Sequence, residues 1–234
     1  MPAEKNKNVL ILIPPSEEKK EGGKYDPLEN AGIISDAARI MTERLRKYRG
    51  NWERLLSLKG QVLEKAIEAN KSILASPTLP AVERYTGVMY EGIDYAGLEE
   101  PARKFFQEHV RIVSSVFGLL KPNDHIPDYR MKMEKLNAAQ FWNPIISKEL
   151  EGYYVIDLLP PIYRKAVTYE NGIAVDFVIV KDDEEIPAGN SGKYIQGRFV
   201  RFLCQNKVDD PKHFKNFNED GYQWDWLVFL KRIR

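Results

Sequence analysis

Polar side chains crowd together directly after a β-like stretch in the middle of the chain. Residues 110 to 117 are rich in β-branched residues and predict a buried strand, which Gly118 and Pro122 should end at the edge of a sheet. Such a group at the end of a strand is typical of a binding site, and the alternative is a loop whose polar groups only satisfy its own backbone. The polar residues that follow supply acceptors, an aromatic face and cationic donors: Asp124, Asp128, Tyr129, Arg130 and Lys132.

Arginine beside tyrosine also occurs earlier in the chain, at Arg84 and Tyr90. An arginine can hold a phosphate through two hydrogen bonds while an aromatic ring stacks on a base or a sugar. Together with Tyr129, Arg130 and Lys132, these residues predict a site for a phosphate or a nucleic acid. The sequence contains no P-loop and no dinucleotide fingerprint, so triphosphate binding of the familiar kind is not indicated.

Three further cations, Lys193, Arg198 and Arg201, fall on a predicted helix near the carboxyl terminus. At roughly 100° of rotation per residue, Ile195, Phe199 and Leu203 share one apolar arc and the cations lie away from it. The helix should therefore bury one face and present a basic one. A basic face can bind a phosphate backbone, but it can equally be an ordinary solvated helix surface.

The segment from Leu55 to Ala66 is similar to a helix-hairpin-helix, in which a tight turn offers backbone N–H groups to a DNA phosphate. Gly60 occupies the position of the first hairpin glycine, Val62 replaces the second, and Lys59 adds charge beside the turn. The alternative is a helical pair joined at Gly60 that contributes packing alone.

Ser16 and Lys19 follow the first predicted strand and could form a pocket with Asp128. A desolvated lysine can lose its proton and activate a serine as a nucleophile. Ser16 could instead only cap a turn after two prolines, and Asp128 could serve as an acid or base or simply hold Arg84 or Arg130.

Six segments, taken together, resemble the YaaA family, also called UPF0246, from about residue 9 to the carboxyl terminus. The resemblance implies an oxidative-stress protein that binds double-stranded DNA in the cytoplasm and helps to limit iron-dependent damage. Many members have Lys-x-x-Arg-Gly where this chain has Lys193, Gln196 and Gly197, with the next arginine at Arg198. The segments are residues 11–19, 84–90, 110–133, 141–142, 155–158 with Tyr163, and 192–198 with Arg201 and Phe202.

Composition limits the classes of protein to consider. The 35 basic and 34 acidic residues give a net charge of +1, so any anion site must be a local patch rather than a property of the whole surface. Cys204 is the single cysteine, which excludes an internal disulfide and suggests a buried small hydrophobe.

Three scattered histidines show no ligand spacing, so we expect no metal and no cofactor. The apolar start, residues 9 to 13, is too short to cross a membrane, and we expect a cytoplasmic protein.

The elements alternate without a strict βαβ rhythm and predict a single α+β domain over residues 1–234, with a mixed β-sheet flanked by helices. Helices are expected over 36–48, 55–74, 99–109, 138–150 and 193–206, and strands over 9–13, 110–117, 153–158, 173–180 and 222–230. Residues 81–98 read as strand and turn, and residues 17–27 and 181–192 as loops.

Two functions fit these observations. The first is DNA binding in the oxidative stress response, with Arg84, Tyr90, Tyr129, Arg130 and Lys193 lining one basic cleft. The second is an enzyme that acts on a nucleotide or nucleobase in a closed polar pocket. The sequence identifies no reaction and leans away from an enzyme, and it indicates no stable protein partner. A structural module without a site is the third possibility, because polar motifs at element ends can also serve packing.

Overall fold

A computed structural model of the chain describes residues 8–28, 35–182, 184–226 and 228–233, and the side chains of Pro187 and Ile233 are outside the description. The elements form a mixed α+β arrangement, as the sequence predicted. Three sheets are surrounded by helices, and the largest sheet positions the candidate site.

The central strand of the five-stranded sheet is β1 (Val9–Ile13), whose five residues are all apolar and all buried. It runs parallel to β3 (Val110–Ser114) on one side and to β6 (Tyr154–Asp157) on the other. Parallel β7 (Asn171–Ala174) and antiparallel β4 (Gly118–Leu120) form the two edges. Because β1, β3 and β6 are parallel, the segments that follow Ile13, Ser114 and Asp157 leave the sheet at the same edge.

The second sheet has four strands, in the order β10 (Gln223–Trp224), β11 (Val228–Ile233), β8 (Asp176–Lys181) and β9 (Glu184–Pro187). The expected strand over 173–180 is therefore divided between two sheets. At the break the N–H of Val175 donates to the Asp157 carbonyl at 2.8 Å, which ends the first sheet and turns the chain into the second. Residues 184–187, expected in a loop, pair with β8.

A short antiparallel pair, β2 (Leu79–Pro80) with β5 (His125–Ile126), is the third sheet. The helices are α1 (Asp36–Arg46), α2 (Trp52–Leu56), α3 (Gly60–Lys71), α4 (Ala81–Arg84), α5 (Val88–Ile93), α6 (Glu100–His109), α7 (Ala138–Glu149), α8 (Pro161–Arg164) and α9 (Gly189–Asn206), with 3₁₀ turns at Tyr95–Gly97 and Pro211–Asn216.

Residues 81–98 are mostly helical, in α4, α5 and the 3₁₀ turn at Tyr95–Gly97, so the expectation of strand and turn was wrong for most of the segment, although Tyr85 forms an isolated β-bridge. The cause is tertiary packing, since α5 crosses α9 at a pair of glycines. A Cβ at Gly92 would lie 2.2 Å from the Tyr194 carbonyl oxygen, and one at Gly197 would lie 2.0 Å from that of Met89. Only glycine allows the two helix backbones to approach this closely.

The apolar arc predicted for α9 is buried: Ile195, Phe199 and Leu203 are at most 5% exposed. Cys204 is also buried, as predicted, and burial raises the pKa of its thiol. In the part of the chain that the structure describes, every helix falls short of the length or the apolar character that a membrane crossing requires.

Candidate functional site

Lys19 lies on the edge of the sheet where β1 ends, in a segment that Pro14 and Pro15 turn out of the strand. Its backbone bridges that of Tyr85 in antiparallel fashion, flanked by hydrogen bonds from Lys20 N–H to the Arg84 carbonyl and from Thr86 N–H to the Glu18 carbonyl. Residues opposite each other in an antiparallel pair place their side chains on the same side. The Lys19 side chain therefore lies beside the Tyr85 ring.

The Lys19 ammonium lies over two tyrosine rings, with Nζ 4.4 Å from the ring centre of Tyr129 and 5.4 Å from that of Tyr85. It donates to the Ser16 carbonyl at 2.9 Å and, more weakly, to the Glu17 carbonyl at 3.4 Å. Among the residues that the structure describes, no carboxylate lies within 4.0 Å of Nζ. The cation is held by ring faces and carbonyl oxygens and lacks a direct counter-ion.

A chain of hydroxyl groups lies beneath Lys19. Tyr129 Oη is 2.8 Å from Ser114 Oγ and 2.7 Å from Tyr85 Oη. Ser114 Oγ also accepts the N–H groups of Val116 and Phe117, at 3.2 and 3.0 Å, so its own proton is directed to Tyr129. Burial raises the pKa of Tyr129 to about 12 and that of Tyr85 well above its ordinary value. Both phenols stay neutral at pH 7 and give Lys19 no negative charge.

The environment of Lys19 favours the neutral amine. Burial, followed by the positive charge of Arg130, lowers the pKa of Lys19 to about 7, although Asp128 and Glu17 act in the opposite direction. A substantial fraction of the molecules therefore carries a neutral amine at pH 7. A lysine that is desolvated and close to another cation can act as a nucleophile or a base.

Tyr90 belongs to the same group, because its hydroxyl donates to the Pro14 carbonyl at 3.0 Å and its ring centre is 5.7 Å from that of Tyr85. Gly87 closes the group from the other side. At φ +97° it lies so near Ser16 that a Cβ would be 2.9 Å from Ser16 Oγ. The lysine–tyrosine cluster is defined here as Lys19, Tyr85, Tyr90, Ser114 and Tyr129.

Two cations, Arg130 and Lys132, form a rim beside this cluster. The Glu17 carboxylate is 4.0 Å from Arg130 Nη1 and 3.3 Å from Lys132 Nζ. Since the Glu17 carbonyl also accepts from Lys19, one residue touches all three cations. The rim and the Lys19 amine are within reach of one ligand group.

The helical hairpin, α2 and α3 with residues 57–59 between them, is present as two helices and a tight turn. Ser57 and Gly60 both have positive φ, 56° and 58°. The Lys59 side chain makes no cap hydrogen bond to α3 and instead lies 3.4 Å from Glu53, and a Cβ at Gly60 would meet no atom within 4 Å. The start of α3 therefore has no side-chain cap from Lys59 and has open space beside the Gly60 Cα, and the N–H groups of a first helical turn can bind an anion.

The hairpin is joined directly to the rim. The Asn70 amide, at the end of α3, forms two 2.8 Å hydrogen bonds with the backbone N–H and carbonyl of Arg130. Lys65 lies 3.5 Å from Glu21, and Lys135 Nζ is 3.4 Å from the Arg54 carbonyl in α2. The hairpin, the rim and the segment after β1 thus form one continuous surface.

Arg84 has a different environment from the one predicted. It is 0% exposed, and its guanidinium donates to the carbonyls of Ile126 at 3.2 Å, Pro77 at 3.1 Å and Lys20. It ties three segments together beneath the cluster. A binding role for Arg84 therefore requires these bonds to open.

The cations of α9 are largely engaged. Arg198 forms two hydrogen bonds with Glu219, at 2.8 and 3.0 Å. Arg201 donates to the Gly97 carbonyl at 2.7 Å, to two carbonyls at the end of α5 and to Asp94. Lys193 is exposed in the first turns of α9, and no contact joins it to the cluster within the described residues.

Two aspartates have structural partners. Asp157, at the end of β6, accepts from Leu159 N–H at 2.7 Å, from Arg164 at 3.2 Å and from Tyr169 at 3.3 Å, and burial raises its pKa. Asp124 caps a turn by accepting the Lys121 N–H at 2.7 Å. Asp128 acts on the cluster through its charge, which opposes the lowering of the Lys19 pKa.

Ser114 had no role predicted from the sequence, whereas Tyr85 was expected, like Tyr90 and Tyr129, to stack on a base or a sugar beside an arginine. Ser114 is the last residue of a parallel strand, and that position was the available signal. A cavity of about 420 Å³ lies between α7 and β7, and none of the predicted site residues lines it. Over residues 8–28, 35–182, 184–226 and 228–233, the His, Cys, Asp and Glu side chains form no group of three or more that could hold a metal ion.

Comparisons with known proteins add a family relationship. Residues 9–226 match the family model described as peroxide stress protein YaaA. A UPF0246 protein of Finegoldia magna is 27% identical over 189 residues, covering 74% of this chain and 78% of that protein. One from Rhizorhabdus wittichii is 30% identical over 170 residues, 62% and 65% of the two chains, and one from Lactobacillus helveticus is 27% identical over 234 residues, 92% of each.

Proposed function

The chain belongs to the YaaA family of peroxide stress proteins, and we propose that it acts in the oxidative stress response by binding double-stranded DNA. The binding surface is the helical hairpin together with the rim of Arg130 and Lys132. By covering DNA it helps to limit iron-dependent damage. The activity belongs to the cytoplasm, where the DNA lies.

The observation that carries this proposal is the pair of hydrogen bonds between Asn70 and Arg130, both 2.8 Å long. A helix-hairpin turn alone offers backbone amides to one phosphate, which gives weak binding. A rim of cations alone resembles many solvated surfaces. Because Asn70 fixes the hairpin to the rim, successive phosphates of one duplex can contact both the hairpin turn and the rim cations.

The charges of this surface suit a phosphate backbone. Its cations include Lys59, Lys65, Arg130, Lys132 and Lys135, in a chain whose net charge is only +1. Glu17 holds Arg130 and Lys132 in the free protein. A phosphate can replace the Glu17 carboxylate as their partner, since guanidinium and ammonium groups bind both kinds of oxygen.

The remaining predicted cations contribute less in this proposal. Arg198 forms two hydrogen bonds with Glu219 at 2.8 and 3.0 Å, Arg201 donates to carbonyls as well as to Asp94, and Arg84 is buried against carbonyls. The carboxylate contacts of Lys59, Lys65, Arg130 and Lys132 are longer, at 3.3 to 4.0 Å. Lys193 is exposed and can extend the surface if the duplex passes over the start of α9. Binding of this kind reads phosphates, so we expect little dependence on base sequence.

A salt titration tests the proposal. Affinity for a short duplex should fall steeply with salt, because each neutralised phosphate releases counter-ions. Lys132→Ala should reduce the slope of log affinity against log salt by about one, the contribution of one phosphate contact. Lys104→Ala is the matched control, since Lys104 is also an ion-paired surface lysine, with its carboxylate partner Glu108 3.9 Å away. An affinity independent of salt, or equal slopes for the two variants, contradicts the proposal.

The second candidate, an enzyme that acts on a nucleotide or nucleobase, is favoured by one specific observation. Lys19 combines partial burial, two neutral phenols and a nearby cation, and its pKa is lowered to about 7. Ordinary phosphate binding does not require a neutral amine. A neutral amine at this position would instead attack an electrophilic group of a substrate bound at the proposed DNA surface.

A further inference from the structure

We propose that the Lys19 amine reacts with aldehyde groups in damaged DNA, specifically with the open-chain sugar of an abasic site, through an imine intermediate. This inference deepens the proposed function and rests on it, because the substrate is part of a duplex. Oxidative damage removes bases and leaves sugars whose C1′ is an aldehyde in the ring-opened form. An amine nucleophile is the group that forms a covalent bond with such a carbon.

The contacts of Lys19 leave its lone pair available. A neutral amine has two N–H groups, and the carbonyls of Ser16 and Glu17 accept two hydrogen bonds from Nζ, at 2.9 and 3.4 Å. The nearby Tyr85 and Tyr129 rings offer π faces and neutral hydroxyls, so they do not fix the proton as a carboxylate would. Lys19 as a residue is partly exposed, between the exposed residues Glu18 and Lys20.

The two cations of the rim can stabilise the phosphate that leaves in a later step of the reaction. Lys19 attacks C1′, the carbinolamine loses water, and a protonated imine forms. The imine makes the C2′ hydrogen acidic, so a water molecule takes that proton while the C3′–O bond breaks and the phosphate leaves with the downstream strand. Water then hydrolyses the imine and frees Lys19. The leaving phosphate gains negative charge, which Arg130 and Lys132 can stabilise, and both are joined to Lys19 through Glu17.

Lys19 also differs from three other lysines of the surface. Lys59, Lys65 and Lys132 each have a carboxylate partner, at 3.4, 3.5 and 3.3 Å, and such partners favour the charged ammonium. Lys20 is exposed and follows Lys19 directly, so it controls for position along the chain. Lys19 lacks the carboxylate partner that these three lysines have.

Borohydride trapping tests the inference. A duplex with one abasic site is mixed with the protein, and sodium borohydride reduces any imine to a stable amine. We expect a covalent protein–DNA adduct, mapped by mass spectrometry to Lys19, and cleavage on the 3′ side of the site when borohydride is omitted. Lys19→Arg, which keeps a cation, should abolish both, and Lys20→Arg should leave both unchanged. An adduct on another lysine, or one that persists in Lys19→Arg, overturns the inference.

A second pair of measurements separates this inference from the proposed function. Anisotropy titrations with an intact duplex and with one that carries a reduced abasic site, which has no aldehyde, report binding alone. If both bind normally and no adduct forms, DNA binding stands and the Lys19 chemistry is refuted. If neither duplex binds, the proposed function fails and the DNA reaction fails with it. Reductive methylation by formaldehyde with sodium cyanoborohydride as the hydride donor at pH 7 should modify Lys19 faster than Lys20, and an equal or slower rate at Lys19 refutes the reactive amine without reference to DNA.

Discussion

Asn70 holds the backbone of Arg130 from both sides, since its amide nitrogen donates to the Arg130 carbonyl and its amide oxygen accepts the Arg130 N–H, both at 2.8 Å. The two residues are 60 positions apart in the chain. Asn70 is 0% exposed although it lies on a helix that is otherwise mostly on the surface. A buried asparagine with both amide atoms engaged acts as a fixed joint between the hairpin and the rim.

Replacing Asn70 with alanine should loosen this joint. The variant leaves a backbone N–H and a carbonyl unpaired in a buried place, which costs about 1–3 kcal/mol of unfolding free energy. Duplex affinity should fall by more than that of Asn143→Ala, whose amide also bridges two segments, but away from the hairpin, at 3.2 Å to Lys165 and Thr168. Denaturant unfolding and duplex titration measure the two effects. Equal loss of affinity in the two variants would count against the joint.

The contribution of the hairpin turn to DNA binding can be tested by replacing two glycines, one in the turn and one elsewhere, with valine. Gly60 and Gly152 both have positive φ, 58° and 77°, and a Cβ at either would meet no atom within 4 Å. Valine at either position should destabilise the fold by about 1–3 kcal/mol, because a β-branched residue is strained at positive φ. Only Gly60→Val should also weaken duplex binding, since its side chain would block the approach of a phosphate to the start of α3. If both variants fold and bind DNA equally, the hairpin contributes packing alone.

The strands and the long helix could be predicted because their residues carry a local pattern. β1 has five consecutive apolar residues, and α9 has a buried arc through Ile195, Phe199 and Leu203. The polar residues after Gly118 were also a local pattern, and two of them, Tyr129 and Arg130, lie in the lysine–tyrosine cluster and its rim. Burial and periodicity are properties of short segments, and a sequence displays them directly.

Other features depend on contacts between distant segments. Arg84 has the chemistry of a phosphate ligand, yet three carbonyls surround it, and no local pattern distinguishes these two environments. The helix α5 forms where a strand was expected, because Gly92 fits against the α9 backbone. The lowered pKa of Lys19 depends first on burial in the assembled fold and then on Arg130, which lies 111 positions further along the chain than Lys19. These features follow from the assembled fold.

The crossing of α5 and α9 should be sensitive to one added methyl group. Gly197→Ala places a Cβ 2.0 Å from the Met89 carbonyl oxygen, and the obstacle is backbone rather than a flexible side chain. Overpacking of this kind costs about 1–3 kcal/mol or more, equivalent to a fall of several degrees in Tm. Gln205→Ala, an exposed position on the same helix, is the control and should leave Tm nearly unchanged. A Gly197→Ala protein as stable as the parent would show that the two helices can separate without cost.

The stability of the protein should depend on pH through Lys19 in a defined direction. The pKa of this lysine is about 7 in the folded protein, against an ordinary value of 10.5, because burial and Arg130 disfavour the ammonium. Between these two values the unfolded chain binds more protons than the folded protein, so this group makes stability rise with pH. Below about pH 7 the cost of burying the charge is fully present. Above pH 10.5 the amine is neutral in both states and the cost disappears.

Lys19→Met removes the buried charge and keeps an unbranched side chain of similar length. It should therefore increase the unfolding free energy relative to the parent, and the increase should be larger at pH 6 than at pH 9. Lys20→Met, at an exposed neighbouring position, should change stability little at either pH. Denaturant unfolding of the three proteins at both pH values gives the comparison. If Lys19→Met destabilises the protein more strongly at pH 6 than at pH 9, the ammonium is favoured in the folded state, and Lys19 is then an ordinary cation of the DNA surface rather than a reactive amine.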